Sequence, residues 1–172
     1  MNLFIDTISN QANILLFDDR REIIDNIIWE VKWNESSTIT PNIDNLIKRN
    51  NYTYNDLENI VVVNWPWSFT WVRTTILAVN SINYIINKNM TAISFFELNK
   101  NFPIIKASSK RDCFVQKTKD SKIEIINNDI LKQEWIDIQR IEKIDYLSII
   151  KEIKFDNKKQ IKALYIKKPN IS

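Results

Sequence analysis

Two places in this chain hold residues whose type and spacing could do chemistry. The first is Asp6, which ends the apolar run Leu3-Phe4-Ile5 and opens the polar turn Asp6-Thr7-Ile8-Ser9. A carboxylate there can hold a hard cation, or it can turn the chain by accepting its own downstream N–H groups, the role the turn composition favours. The second is the string Trp65-Pro66-Trp67-Ser68-Phe69-Thr70-Trp71-Val72-Arg73. Taken literally, Trp65, Trp67 and Trp71 beside Arg73 make an aromatic cluster suited to stacking nucleobases. Beyond these the inventory is short. The chain has no histidine and Cys113 is its one cysteine, so imidazole or thiolate zinc sites and Ser-His or Cys-His devices are excluded. No catalytic residue, metal ligand or cofactor is assigned.

The elements that must position these residues follow from periodicity. Three antiparallel strands are predicted in the first thirty residues: Leu3 to Asp6, Asn13 to Phe17, and a third within Ile23 to Val31, with Asp18-Asp19-Arg20-Arg21 as a charged hairpin connection. A helix is predicted next, with Thr40 as N-cap and Pro41 at its first position, ending near Arg49 and carrying Ile43, Leu46 and Ile47 as an apolar stripe. Ile60-Val61-Val62-Val63 reads as a strand buried on both faces. It runs through Trp65-Pro66-Trp67 into a long helix over residues 68–86, capped by Ser68 or Thr70. Val72, Ile76, Val79 and Ile86 form one stripe of that helix and Leu77, Ala78, Ile82 and Ile85 another, so it needs cover on two sides. A strand at Thr91 to Ile93, a helical turn at Phe95 to Leu98, strands at Pro103 to Lys106 and Cys113 to Gln116, and an extension over Lys122 to Ile126 follow. Lys132 to Ile150 has helical spacing, and Ala163 to Ile166 is a closing extended segment. Strand, strand, strand, helix, strand, helix is the order of a ribonuclease-H-like lobe: an α/β fold with a mixed sheet flanked by helices.

That order and three local strings resemble the TsaB (YeaZ) family of the actin-like ATPase superfamily, which takes part in threonylcarbamoyladenosine synthesis on transfer RNA. The family opens on a strand ending Ile-Asp-Thr-Ser, matched here by Ile5-Asp6-Thr7-Ile8-Ser9. Its hallmark is Gly-Pro-Gly-Ser-Phe-Thr-Gly-Val-Arg, and its closing strand is similar to Ala163-Leu164-Tyr165-Ile166-Lys167-Lys168-Pro169. The resemblance implies an N-terminal lobe over residues 1–100 and a shortened second lobe over residues 101–172. In each hallmark glycine position this chain has tryptophan. Six tryptophans and no glycine occur in the chain, where ordinary usage of roughly 7% would give about a dozen glycines. The exchange suggests that Trp65, Trp67 and Trp71 are glycines in the living protein, decoded from UGA in a variant genetic code. Trp29, Trp33 and Trp135 would share that origin.

What the resemblance implies about function is a non-catalytic scaffold. It would pair with a TsaD-like transferase subunit and be joined by a TsaE-like ATPase, meeting tRNA only indirectly through the complex, with a homodimer also open. Ile43, Leu46, Ile47, Val72, Ile76, Val79 and Asn83 are the expected partner-binding residues. Two other classes stand beside this one: a small ATP-dependent kinase or hydrolase of the same superfamily, and an RNA-binding module built on the tryptophans. The formal charge of +3 and short clusters such as Lys158-Lys159 fit a solvated face better than a nucleic-acid groove. The lone cysteine and the start without a basic leader fit a cytoplasmic protein, and no apolar run reaches the roughly 20 residues of a membrane span.

Overall fold

The computed structural model describes residues 1–9, 11–30, 35–65, 69–108, 111–134 and 144–162. β1 (Asn2–Asp6), β2 (Gln11–Phe17) and β3 (Ile23–Glu30) form an antiparallel meander. β4 (Asn59–Trp65) lies parallel to β1, and β5 (Asn89–Ser94) parallel to β4, which gives a five-stranded mixed sheet in the order β3-β2-β1-β4-β5. α1 (Glu35–Arg49) and α2 (Phe69–Ile86) pack together on one face. A smaller antiparallel sheet follows: β6 (Ile104–Ala107), β7 (Asp112–Gln116) and β8 (Glu124–Asn127). α3 (Asn128–Glu134) and α4 (Tyr146–Glu152) are the other α-helices among the described residues, and short 3-10 turns lie at Tyr54–Asp56 and, as predicted, at Phe95–Leu98. One buried cluster runs from Leu3 to Ile161 and takes in Ile104 and Phe114 from the small sheet.

The central strands form because nearly every side chain finds cover. All seven residues of β4 are buried, as a strand sandwiched between layers requires. The alternation along β1 and into the residue after it sorts the two faces: Thr7, just past the strand, reaches Thr75 of α2, with the two hydroxyl oxygens 2.7 Å apart, while Phe4 meets the Tyr146 ring edge-on at 5.6 Å on the other side. The hairpin after β2 is closed by Asp18, whose carboxylate accepts the Glu22 N–H at 2.8 Å. Arg21 within it sits at φ 67° and caps the end of α4, donating to the carbonyls of Ile150 and Ile153 at 3.2 Å each. A cation suits that helix end, and its guanidinium also stacks 4.1 Å from the centre of the Phe155 ring.

α1 differs from its predicted start. It begins at Glu35, not after Thr40, and Pro41 lies inside it. The reason is Ile39, which is fully buried and continues the Ile43 and Ile47 stripe one turn towards the N-terminus. Burying that side chain outweighs the single backbone bond that an exposed proline removes. At its far end Arg49 forks onto Asp25, both contacts 2.7 Å, and also donates to the Asn26 carbonyl at 2.9 Å. Arg49 therefore occupies part of the otherwise open edge of β3.

The chain leaves α4 as an extended strap over residues 153–162. It runs past the β5 edge, where the Met90 N–H donates to Lys158 O at 2.7 Å and the Asp156 N–H to the Thr91 hydroxyl at 2.8 Å. It then lies along α2. The closing segment predicted at Ala163 to Ile166, most of the stretch between α3 and α4, Trp33 and Trp135 fall outside the described residues.

Candidate functional site

The hallmark string begins where β4 ends. Trp65 is the last residue of that strand and pairs with Ser94 after a register shift from Val63. Its side chain is buried at 7% exposure, with ring centroids 5.5 Å from Phe96 and 5.5 Å from Phe114. Among the described residues only Arg21, Asn51 and Asn87 have positive φ, so Trp65 occupies no left-handed turn. It joins the large sheet to the small one, which corrects its reading as part of an exposed stacking surface. Pro66, Trp67 and Ser68 lie outside the described residues, as do the side chains of Phe69, Thr70 and Trp71. Thr70 is within α2, not at its cap, and Arg73 is exposed one turn further on.

Asp6 is the centre of a buried polar knot. One carboxylate oxygen accepts the N–H groups of Ile8 at 2.8 Å and Ser9 at 3.1 Å, while the other accepts the Ser9 hydroxyl and the Tyr146 hydroxyl, the latter at 2.8 Å. This is the turn-forming use of aspartate, with every donor drawn from the chain itself. No cluster of three or more His, Cys, Asp or Glu able to hold a metal occurs among the described residues. Lys106 enters from β6 and donates to the Ile8 carbonyl at 2.7 Å, with its ammonium 4.5 Å over the Phe95 ring. Burial pushes its amine down to about 8, against the pull of the Asp6 charge. Burial, and then the same charge, pushes the Tyr146 phenol up. The knot ties the end of β1 to the small sheet and to α4. Lys106 and Tyr146 were not singled out in the sequence, where each looks like an ordinary surface residue.

α2 presents two faces. Val72, Ile76, Val79 and Asn83 are buried under it, and Ile43, Leu46 and Ile47 are buried under α1. The seven residues expected to bind a partner are thus packed in the core of the chain itself. The outer face belongs to Leu77, Tyr84 and Ile85, which are 69%, 91% and 82% exposed. Leu77 and Ile85 were visible in the sequence as the helix's second apolar stripe, but an all-round apolar helix does not say which stripe meets the sheet.

The five-stranded mixed sheet with helices against it defines the class, an α/β lobe of ribonuclease-H-like, actin-like architecture. Within that class the chain is similar to YeaZ from Pseudomonas aeruginosa, with a TM-score of 0.60 and 12% identity over 73% of this chain and 63% of that one. It is similar also to an uncharacterized protein described as resembling peptidase YEAZ from Pseudomonas aeruginosa, with a TM-score of 0.59 and 13% identity over 73% and 65%. The chain thus aligns with less than two thirds of each, and the likeness is one of fold. By sequence, no family model and no curated protein matches. No helix among the described residues is long and apolar enough to cross a membrane.

Proposed function

We propose that this chain is a TsaB-type accessory subunit, a non-catalytic scaffold that pairs with a TsaD-like transferase for threonylcarbamoyl transfer to adenosine of tRNA. A TsaE-like ATPase joins that pair, and tRNA is met through the complex. The observation that carries the reading is the outer face of α2: Leu77, Tyr84 and Ile85 stand in solvent on a helix whose other side packs against α1 and the sheet. Exposed apolar side chains gathered on one face mark an interaction surface. The YeaZ-like fold supports the choice of partner, and the self-satisfied hydrogen bonds of Asp6 support a role without chemistry at that carboxylate.

The partner-binding residues move accordingly from the buried stripe to Leu77, Tyr84 and Ile85. The test is co-purification with the TsaD-like subunit of the same genome, comparing the wild-type chain with Leu77→Glu and Tyr84→Glu combined. Loss of the complex with an unchanged far-UV spectrum supports the reading; full retention of the complex overturns it.

The identity of Trp65, Trp67 and Trp71 as glycines decoded from UGA belongs to this proposal and rests on the hallmark string alone. The strand-paired, packed setting of Trp65 lends it no support. UGG at codons 65, 67 and 71, or an intact mass equal to that of the written sequence, disposes of it.

A further inference from the structure

The strap over residues 153–162 is held to α2 by helix side chains that behave as a strand would. Asn80 donates to Ile161 O at 2.8 Å and accepts from Ile161 N–H at 3.0 Å, while Asn83 donates to Lys159 O at 2.9 Å. Asn64, next to last in β4, donates to Lys162 O at 3.2 Å. One helix step of three residues on α2 thus spans two residues of extended chain, since about 4.5 Å of helix rise and 6.6 Å of strand are bridged by flexible amides.

The position of the strap on the helix surface follows from the turn of about 100° per residue. The buried stripe of Val72, Val79, Asn83 and Ile76 gives way to Asn80, then to Arg73, Tyr84 and Leu77. The strap therefore borders the exposed apolar stripe along one side. Its charge is one-sided: residues 153–162 contain four lysines and one aspartate, and Asp156 is already paired with Lys158 at 2.6 Å. Lys158, Lys159 and Lys162 are exposed, and α2 carries Arg73 as its only charged residue.

We propose that the strap is the second wall of the α2 docking face, and that this face takes a partner whose apolar stripe is rimmed by carboxylates. The inference rests on the pairing reading above and adds to it the sign of the partner's surface. Such a rim steers approach and sets partner choice. A second copy of this chain does not meet the requirement, because its own α2 and strap offer cations where carboxylates are needed.

The experiment measures binding of the purified full chain to the TsaD-like subunit of the same genome by calorimetry, at low and high salt. Lys158→Glu with Lys162→Glu is expected to weaken binding about tenfold or more at about 50 mM salt, the deficit shrinking at about 500 mM as screening removes the steering. The strap stays clipped in this variant, since Asn80, Asn83 and Asn64 bind backbone atoms. Lys158→Gln with Lys162→Gln serves as the milder variant, with a smaller loss in the same direction. Affinity within about twofold of wild type at low salt for both pairs overturns the strap inference. The pairing reading then still stands if Leu77→Glu abolishes binding at both salts. Wild-type chain that does not bind at all overturns both, and a wild-type dimer dispersed by Leu77→Glu overturns the acidic partner in favour of a second copy.

Discussion

Asn80 of α2 binds the backbone of Ile161 at both its N–H and its carbonyl, 3.0 and 2.8 Å away. A single amide thereby supplies what a neighbouring strand would supply, and the strap needs no regular partner there. Asn80→Leu removes both contacts and leaves two backbone groups of a buried residue without a mate. The expected cost is about 1–3 kcal/mol in urea unfolding. Hydrogen exchange locates it: the Ile161 amide should lose protection while the β4 amides keep theirs. Equal loss in both places would mean that the strap is not a separately held element.

Lys106 gives a pH signature whose sign can be worked out. Its folded-state pKa is lowered to about 8 from 10.5 by burial, so between those values the unfolded chain binds more protons than the folded one. Stability contributed by this group therefore rises with pH through that window, is complete above 10.5 and is lost as pH falls through about 8. The full swing is on the order of 3 kcal/mol. The measurement is the stability of wild type minus that of Lys106→Met between pH 7 and pH 10, taken as a difference so that other groups cancel. The difference should move in favour of wild type as pH rises. Tyr146, whose phenol is raised from 10.0, acts in the opposite sense above about pH 10, but both proteins carry it and the difference removes it.

Tyr146→Phe tests the other arm of the knot. The substitution keeps the ring against Phe4 and removes only the hydroxyl that donates to Asp6 at 2.8 Å. Loss of a hydrogen bond to a buried carboxylate is expected to destabilise by about 1.5–3 kcal/mol. A change below about 0.5 kcal/mol would place the hydroxyl outside the knot in solution.

Much of this arrangement was legible because its causes are local. Ile60-Val61-Val62-Val63 announces a doubly covered strand, and Asp18 to Arg21 announces a hairpin. Asp6 followed by Thr7-Ile8-Ser9 announces the turn that its carboxylate closes. The start of α1 was not legible, because Thr40-Pro41 carries a strong capping signal and only tertiary burial of Ile39 overrides it. The orientation of α2 was hidden because an all-round apolar helix has no polar face to mark the outside. The strap was hidden more deeply still. It has no period, and the amides that hold it, Asn80 and Asn83, belong to another element some eighty residues away.

Asn51 shows how a chain with no glycine ends a helix. It sits at φ 61° just past α1; its N–H reaches Lys48 O at 3.0 Å and the Tyr52 N–H reaches Ile47 O at 3.1 Å. That pair of bonds is the Schellman arrangement, and asparagine tolerates the left-handed conformation better than other residues bearing a Cβ. Asn51→Gly should raise stability by about 0.5–1 kcal/mol, and Asn51→Ala should lower it by about 1 kcal/mol. Chemical denaturation of the two variants checks the order, and a destabilised glycine variant would refute the conformational account.

Ile76 and Leu77 are neighbours on α2 with opposite surroundings, 6% and 69% exposed. Glutamate at Ile76 must bury a charge within the hydrophobic core cluster, so the carboxyl either stays protonated or unfolds its surroundings. Loss of about 3 kcal/mol or more is expected, with the thermal transition broadened or lost. Glutamate at Leu77 projects into solvent and should change stability by less than about 0.5 kcal/mol. If the complex with the TsaD-like subunit is lost in both variants, only the Leu77 result speaks to the interface, since the Ile76 variant fails by unfolding. Thermal melts of the two proteins therefore come before any binding measurement. A stable, well-folded Ile76→Glu chain would mean that the helix presents its faces the other way round.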